Sequence, residues 1–377
     1  MPRWLEKLLG ALFPYVPAPM RPAFKRAFLW TLIRVQGLAS GRGVRQGWRI
    51  EFLDFEIAYL EPFEYLRPGP GEIEVAAHFS AVSPGTERAV LCGLPGARRS
   101  FPYYPGYSCA GIVERAGARA RGFRPGDRVA GRLKHASAGT AAAELLFRVP
   151  DGVGLEAASF IELGIITLQG MRKARIAPGD RVAVLGQGLI GQLANRIARA
   201  SGAGEVIAVA PSRARAPVSM RPGGADRFLA SRDPDFDPGA VLADVVIEAV
   251  GTPEAIVTAV RCARRGGRVV LLGSSRGLSR GIDLGALLQQ GAIEMVGAHI
   301  SDLPAVDDSP GRHSYRHEGE LFLEMLRCGR LSVDELVTWR AAPDECNAVY
   351  EKLARGGGEH VAIILDWRRG RATREAA

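Results

Sequence analysis

The chain has 377 residues, 47% hydrophobic and 24% charged, with a formal net charge of +9. That balance is ordinary for a globular protein with room for two cores, and the lack of any 18-residue apolar run excludes a membrane-spanning helix. The charge does not point to nucleic acid, because residues 1–48 carry eight Lys or Arg against Glu6 alone, a local excess of +7, and the remainder is nearly balanced.

In that first segment Trp4, Leu5, Leu8, Leu9, Leu12 and Phe13 recur at helical spacing. Residues 14–22 break the pattern, and Phe24, Phe28, Leu29, Leu32 and Ile33 resume it beside Lys25, Arg26 and Arg34. The spacing predicts two short basic amphipathic helices in an extension over residues 1–48. Two destinations are open to them. Their apolar faces can pack on the body or on a partner subunit, or residues 1–36 can lie on an anionic bilayer surface with the cations near phosphates. Residues 41–47 read as a flexible joint.

From Trp48 the pattern changes to short strands over residues 49–55, 56–63, 72–79, 111–114, 127–130 and 144–149, separated by turn residues such as Pro68-Gly69-Pro70-Gly71. A β-rich domain therefore comes first. Residues 181–185 then form a short apolar run leading into Gly186, Gly188 and Gly191 at G-x-G-x-x-G spacing. Ile190, Leu193, Ala194 and Ile197 make one stripe of a following helix, and residues 205–210 close a βαβ unit. Gly186 suits the tight turn, Gly188 the close approach of a pyrophosphate, and Gly191 the packing of helix on sheet. Leu189 and Ile190 complete the helix start, whose N–H groups and dipole favour an anion.

The second strand of such a unit usually ends in an acid that binds the ribose hydroxyls of NAD, but here it ends in Ala210. Ser212, Arg213 and Arg215 follow and suit the 2'-phosphate of NADP, which makes NADP the expected cofactor over NAD. Further on, residues 244–250 and 268–272 read as buried strands, ending in Gly251 and in Gly273-Ser274-Ser275 at the cofactor edge, where the glycines would let the nicotinamide ribose approach. Residues 293–297 supply a last strand. Residues 309–317, SPGRHSYRH, form a polar cationic loop, either solvated or in contact with an anionic substrate. Residues 318–328 and 343–353 read as helices, and the Arg-rich stretch after Trp367 as disordered. Five scattered cysteines without a C-x-x-C pair, and the lack of a secretory signal, lead to the expectation of a reducing cytoplasm.

Seven blocks in order, GPGEIEV, VSPGTE, FPYYPGYSCAGIVERAG, GFRPGDRV, GQGLIG, DVVIEAVGTPEA and GGRVVLLG, resemble the medium-chain dehydrogenase/reductase superfamily over residues 49 to about 367. The resemblance implies an α/β protein. Its GroES-like catalytic domain would span residues 49–168 with 308–377 returning to it, and a Rossmann doubly wound parallel sheet would span 169–307. The active site would lie in the cleft between them, and the last Rossmann strand pairs two subunits in many relatives, so a homodimer is implied too. SPGTE, GYSCAG and ASFIELGIITLQGMRKA are similar to zinc-dehydrogenase-like proteins often fused to sugar oxidoreductase domains, a fused partner not expected here. SPGTE and PGY are also similar, more distantly, to bacteriochlorophyllide dehydrogenase.

Zinc enzymes of that superfamily place a cysteine, a His-Glu pair and a further glutamate or cysteine where this sequence reads Pro84, Tyr107, Ser108 and Glu162. One carboxylate cannot hold a four-coordinate zinc, so no metal is expected. A side chain must then manage the charge on the substrate oxygen. Tyr107 is the first candidate, Thr86 matches the superfamily's relay hydroxyl, and Glu162 is the other titratable group implied at the cleft. Glu87 reads as structural. His135 falls near the cleft by resemblance, while His78, His299, His313, His317 and His360 show no ligand pairing. The expectation is a zinc-independent, NADP-dependent oxidoreductase acting between a secondary alcohol and a ketone on a sugar, cyclitol or similar small molecule. The alternatives are an ene or quinone reductase of the same fold and a non-catalytic NADP-binding scaffold at a membrane surface.

Overall fold

A computed structural model of the chain describes residues 20–370, apart from 121, 281–282, 284, 306–312, 357 and 359. The first expected helix, over residues 4–13, lies outside them, as do residues 371–377. Helix α1 (Arg21–Ser40) ends at Gly41, whose φ of 65° is the left-handed conformation glycine adopts freely. It lies on an antiparallel hairpin of β1 (Val44–Asp54) and β2 (Ile57–Leu66). Its cations turn toward that body. The Lys25 ammonium donates to the Phe101 carbonyl at 3.0 Å, Arg26 pairs with Glu61 at 2.9 Å and Glu51 at 3.4 Å, and the Arg34 Nε donates to Glu64 at 2.8 Å. Of the cations read at helical spacing, Arg26 and Arg34 thus meet carboxylates of the body and Lys25 a backbone carbonyl. The expected joint over residues 41–47 is shorter, because residues 44–47 already pair with residues 63–66.

Strands β3 (Glu72–Ala81), β4 (Cys109–Ala116), β5 (Arg128–Gly131), β6 (Ala138–Ala142) and β7 (Leu146–Arg148) build the β-rich half, with helix α2 (Pro84–Leu91) between β3 and β4. β6 reads AGTAA, with one β-branched residue, so no periodicity announces it; pairing with β3 makes it a strand. Helix α3 (Ile161–Ala174) leads into the second half. There β8 (Arg181–Leu185), helix α4 (Leu189–Ala200), β9 (Glu205–Ala210), β10 (Arg227–Ala230), β11 (Ala243–Glu248), helix α5 (Pro253–Cys262), β12 (Ala263–Leu271) and β13 (Glu294–Gly297) follow.

Their sheet is parallel with order β10-β9-β8-β11-β12-β13, which reverses between β8 and β11. Such a reversal opens a crevice at the carboxyl ends of those two strands, where dinucleotides bind in doubly wound folds. Leu193, Ala194 and Ile197 of α4 are buried against Val182, Val184, Val206 and Ala208, as their spacing requires. The chain then returns through helix α6 (Tyr315–Arg327), β14 (Val337–Ala341), helix α7 (Cys346–Arg355) and β15 (Ala362–Asp366). β15 pairs with β3, giving the sheet order β14-β15-β3-β4-β5-β7. α6 crosses α3 so closely that a Cβ at Gly164 would stand 2.2 Å from the Phe322 ring. No helix among the described residues is long and apolar enough to cross a membrane.

Candidate active site

The cofactor half of the site grows from the turn after β8. Gly186 has φ 92°, a conformation that side chains strain, and a Cβ at Gly191 would stand 1.7 Å from the Gly186 carbonyl oxygen. Turn and helix can meet only through these glycines. Gly188 caps α4, and the first-turn N–H groups, at Leu189, Ile190 and Gly191, have no intrahelical acceptor and make an anion cradle. Gly251 has φ 83°, and its Cβ would meet the exposed Ser274's carbonyl at 2.2 Å, while one on Gly273 would meet the Gly251 nitrogen at 2.6 Å. These two glycines are therefore required by the approach of the β11 and β12 ends to each other, a reason different from the expected approach of a ribose.

The turn after β9 divides its three candidates. Ser212 is exposed and opens a short helical turn, and Arg213 pairs with Asp233 at 2.7 Å. Arg215 does not join them. Its guanidinium donates to the Gln187 carbonyl at 3.3 Å and to the Gly358 and His360 carbonyls at 3.0 Å, against the glycine loop. It has no carboxylate partner among the described residues, and burial lowers its pKa. Arg215 thus stands against the glycine loop and not beside Ser212 and Arg213, where a 2'-phosphate was expected to lie.

On the catalytic side, Pro84 opens α2 and offers no ligand atom. The Ser108 hydroxyl is committed, donating to the Ser159 carbonyl at 2.6 Å and accepting the Glu162 N–H at 3.1 Å. The Tyr107 hydroxyl donates to the Ser83 hydroxyl at 2.6 Å. Burial pushes the Tyr107 phenol up to about 12, opposed by hydrogen bonds with Ser83 and Thr86. Glu162, fully buried in the first turn of α3, pairs with Arg132 at 2.8 Å and accepts the Tyr315 hydroxyl. Burial pushes its carboxyl upward while Arg132 and Tyr315 oppose the shift. These four positions do not fit a zinc ion, because their one strong donor already holds a guanidinium.

Sequence reasoning missed Ser83, Arg132 and Tyr315. Ser83 lay in the quoted VSPGTE block, and Tyr315 in the cationic loop, whose last residues turn out to be the first turn of α6, capped by Ser314. Nothing in the sequence singled out Arg132. His135 lies behind α2, fully buried between the Ser80 hydroxyl at 2.7 Å and Glu87 at 3.1 Å. Glu87 also accepts the Tyr350 hydroxyl at 2.6 Å and the Ser83 N–H at 2.8 Å, so this network fixes the Ser83 backbone. His313 and His317 do pair: with Glu318 they bring donor atoms within 4.8 Å of one another, a proximity the sequence reading overlooked. Arg172 stands beside them, 3.0 Å from Glu318 and 3.3 Å from His317. A cation is already in place there.

Residues 69–154 match the alcohol dehydrogenase GroES-like domain, and residues 190–309 match the zinc-binding dehydrogenase family. The chain belongs to the medium-chain dehydrogenase/reductase superfamily. Among other members, it is 26% identical to L-idonate 5-dehydrogenase of Vitis vinifera over 304 residues, covering 68% of this chain and 77% of that one. It is 38% identical to L-galactonate-5-dehydrogenase of Escherichia coli (strain K12) over 133 residues, 34% of this chain and 38% of that one. A member from Sinorhizobium meliloti 1021 solved bound to NADP superposes with a TM-score of 0.72 at 21% identity, covering 85% of this chain and 99% of that one.

Proposed function

We propose that this medium-chain dehydrogenase/reductase is a zinc-independent, NADP-preferring oxidoreductase that interconverts a secondary alcohol and a ketone on a sugar, cyclitol or similar polyoxygenated molecule. The observation that carries this reading is the replacement of the metal-binding set by Pro84, a committed Ser108, a guanidinium-paired Glu162 and a protonated Tyr107. L-idonate 5-dehydrogenase and L-galactonate-5-dehydrogenase act on sugar acids, which supports the substrate class.

A bound nicotinamide supplies or accepts the hydride, so the chain must manage the proton and the charge on oxygen. Tyr107 keeps its proton at neutral pH, with Ser83 and Thr86 around its hydroxyl, and can donate to an oxygen that gains charge. Ser83, held by Glu87, fixes the direction of that hydroxyl. The Arg132–Glu162–Tyr315 group closes the other wall, with the Arg132 guanidinium balanced by the Glu162 carboxylate. Arg213 and Ser212 supply the preference for a 2'-phosphate, in the absence of an acid at Ala210.

The test is nicotinamide absorbance with NADPH or NADH and a panel of keto-sugars, ketocyclitols, conjugated enones and quinones. Turnover of a polyoxygenated ketone, faster with NADPH, is expected. Turnover confined to enones or quinones would establish the ene-reductase alternative, and NADPH binding without turnover of any class would favour a non-catalytic scaffold.

A further inference from the structure

A cavity of about 210 Å³ lies between the β1–β2 hairpin and residues 132–140. Arg49, Tyr65, Tyr104, Arg132, Lys134 and Thr140 supply its polar lining, and no carboxylate lines it. Two of the three cations are already matched, Arg49 by Glu51 at 2.8 Å and Arg132 by Glu162 at 2.8 Å. Arg49 is further held in place over the rings of Tyr104 and Phe63, 3.6 and 4.8 Å from their centroids. Lys134 is not matched. Among the described residues it has no direct ion pair or hydrogen bond: the Tyr103 ring lies at 5.8 Å, and the Glu87 carboxylate acts on it only through space. The Tyr104 hydroxyl is buried and finds no acceptor for its proton, its neighbour Arg49 being able only to donate. Buried donors left without an acceptor are rare, because the lost hydration is not recovered.

We propose that this cavity receives the anionic end, a carboxylate or phosphate, of the polyol substrate, with Lys134 supplying the charge and the Tyr104 hydroxyl a donor. The inference rests on the polyol reading above. Arg132 ties the two places together, since it lines the cavity and also holds Glu162 beside Tyr107. The volume is below the ~300–1,000 Å³ of sites that enclose a whole drug-sized molecule, so the cavity suits one end of a substrate whose carbinol carbon lies toward Tyr107. A neutral polyol would leave Lys134 and Tyr104 unanswered, and the site would then select sugar acids or sugar phosphates over sugars.

The test is calorimetric titration of the full chain loaded with NADP. The probes are hexitols, hexonates and hexitol phosphates of gluco, galacto and ido configuration. At least one anionic probe should bind about tenfold or more tightly than its neutral counterpart, and the hexonate and phosphate arms show which anion is preferred. Lys134→Met should remove that advantage and Tyr104→Phe reduce it, with neutral probes and NADPH bound as in wild type, which shows that both variants fold. Equal binding of neutral and anionic counterparts, or unchanged anion binding by both variants, would overturn the proposal. Nicotinamide absorbance in the same samples reads the polyol reaction separately: anion binding lost in Lys134→Met without turnover of any probe would keep the anion site and remove the polyol reading.

Discussion

Tyr107 and Glu162 stand at ligand positions of the zinc enzymes, and burial raises the pKa of both, yet their partners differ. Tyr107 is surrounded by hydroxyls and stays protonated; Glu162 is tied to a cation and another phenol. Removing a positioned general acid costs about 10²–10⁴-fold, so Tyr107→Phe should lower kcat by that factor while NADPH affinity holds within twofold. Because its proton persists up to about 12, the reductive rate should show no loss attributable to Tyr107 between pH 7 and 10. The same shift predicts a stability slope. An ordinary tyrosine ionises near pH ~10, so the folded state holds this proton more tightly than the unfolded one; its contribution is complete below that pH and fades as pH rises toward 12. Urea unfolding from pH 9 upward should show a shallower decline for Tyr107→Phe than for wild type.

The two arginines after β9 separate at this scale as well. Charge-assisted hydrogen bonds are worth roughly 1.5–3 kcal/mol, so Arg213→Ala should weaken NADPH about tenfold to a hundredfold and leave NADH nearly unchanged. Arg215 touches the glycine loop that serves both dinucleotides, so Arg215→Met should weaken both alike. Nicotinamide fluorescence titrations decide between these patterns. Equal loss of both cofactors in Arg213→Ala would remove the 2'-phosphate reading of that turn.

At the scale of elements, the parallel-sheet half was legible because its information is local. β8, α4 and β9 form one continuous stretch whose apolar run, glycine spacing and helical stripe agree. The wall around Glu162 was not, because it is assembled from three distant stretches: Tyr315 reaches Glu162 across 153 positions and Arg132 across 30. No periodicity encodes such meetings. β6 and β10 escaped for another reason, being short strands stabilised by neighbours rather than by their own composition. The α3–α6 crossing that brings Tyr315 to Glu162 depends on Gly164, where a methyl would overlap the Phe322 ring. Overpacking of this kind costs about 1–3 kcal/mol, so Gly164→Ala should lower the urea midpoint and loosen the Tyr315 contact. An unchanged midpoint would show that the crossing relaxes freely.

Across the whole molecule, the domains meet through arginines bonded to backbone carbonyls. Arg276, after β12, donates to the Gly85 carbonyl at 3.1 Å, and Arg215 reaches the segment before β15. Both have pKa values lowered by burial, so an anion in the cleft would be welcomed by cations that lack carboxylate partners among the described residues. The N-terminal helix adds an outer layer over the hairpin. Arg26→Ala deprives Glu61 and the buried Glu51 of a shared partner and should cost about 1–3 kcal/mol in urea unfolding. Liposome sedimentation separates the two destinations of the extension, since binding that survives high salt or persists in a chain starting at Val44 cannot come from residues 1–36 acting through charge.

The proposed chemistry needs a nicotinamide for the hydride and side chains for the proton and the charge on oxygen, with no zinc ion. Its most direct test is to follow nicotinamide absorbance with the protein before and after chelation, with elemental analysis of the same samples. Well under one zinc per chain and unchanged turnover after chelation are predicted. Stoichiometric zinc, activity lost with its removal and activity restored by its return would contradict the assignment of Tyr107 and the pairing of Glu162 with Arg132 as the working form of the site.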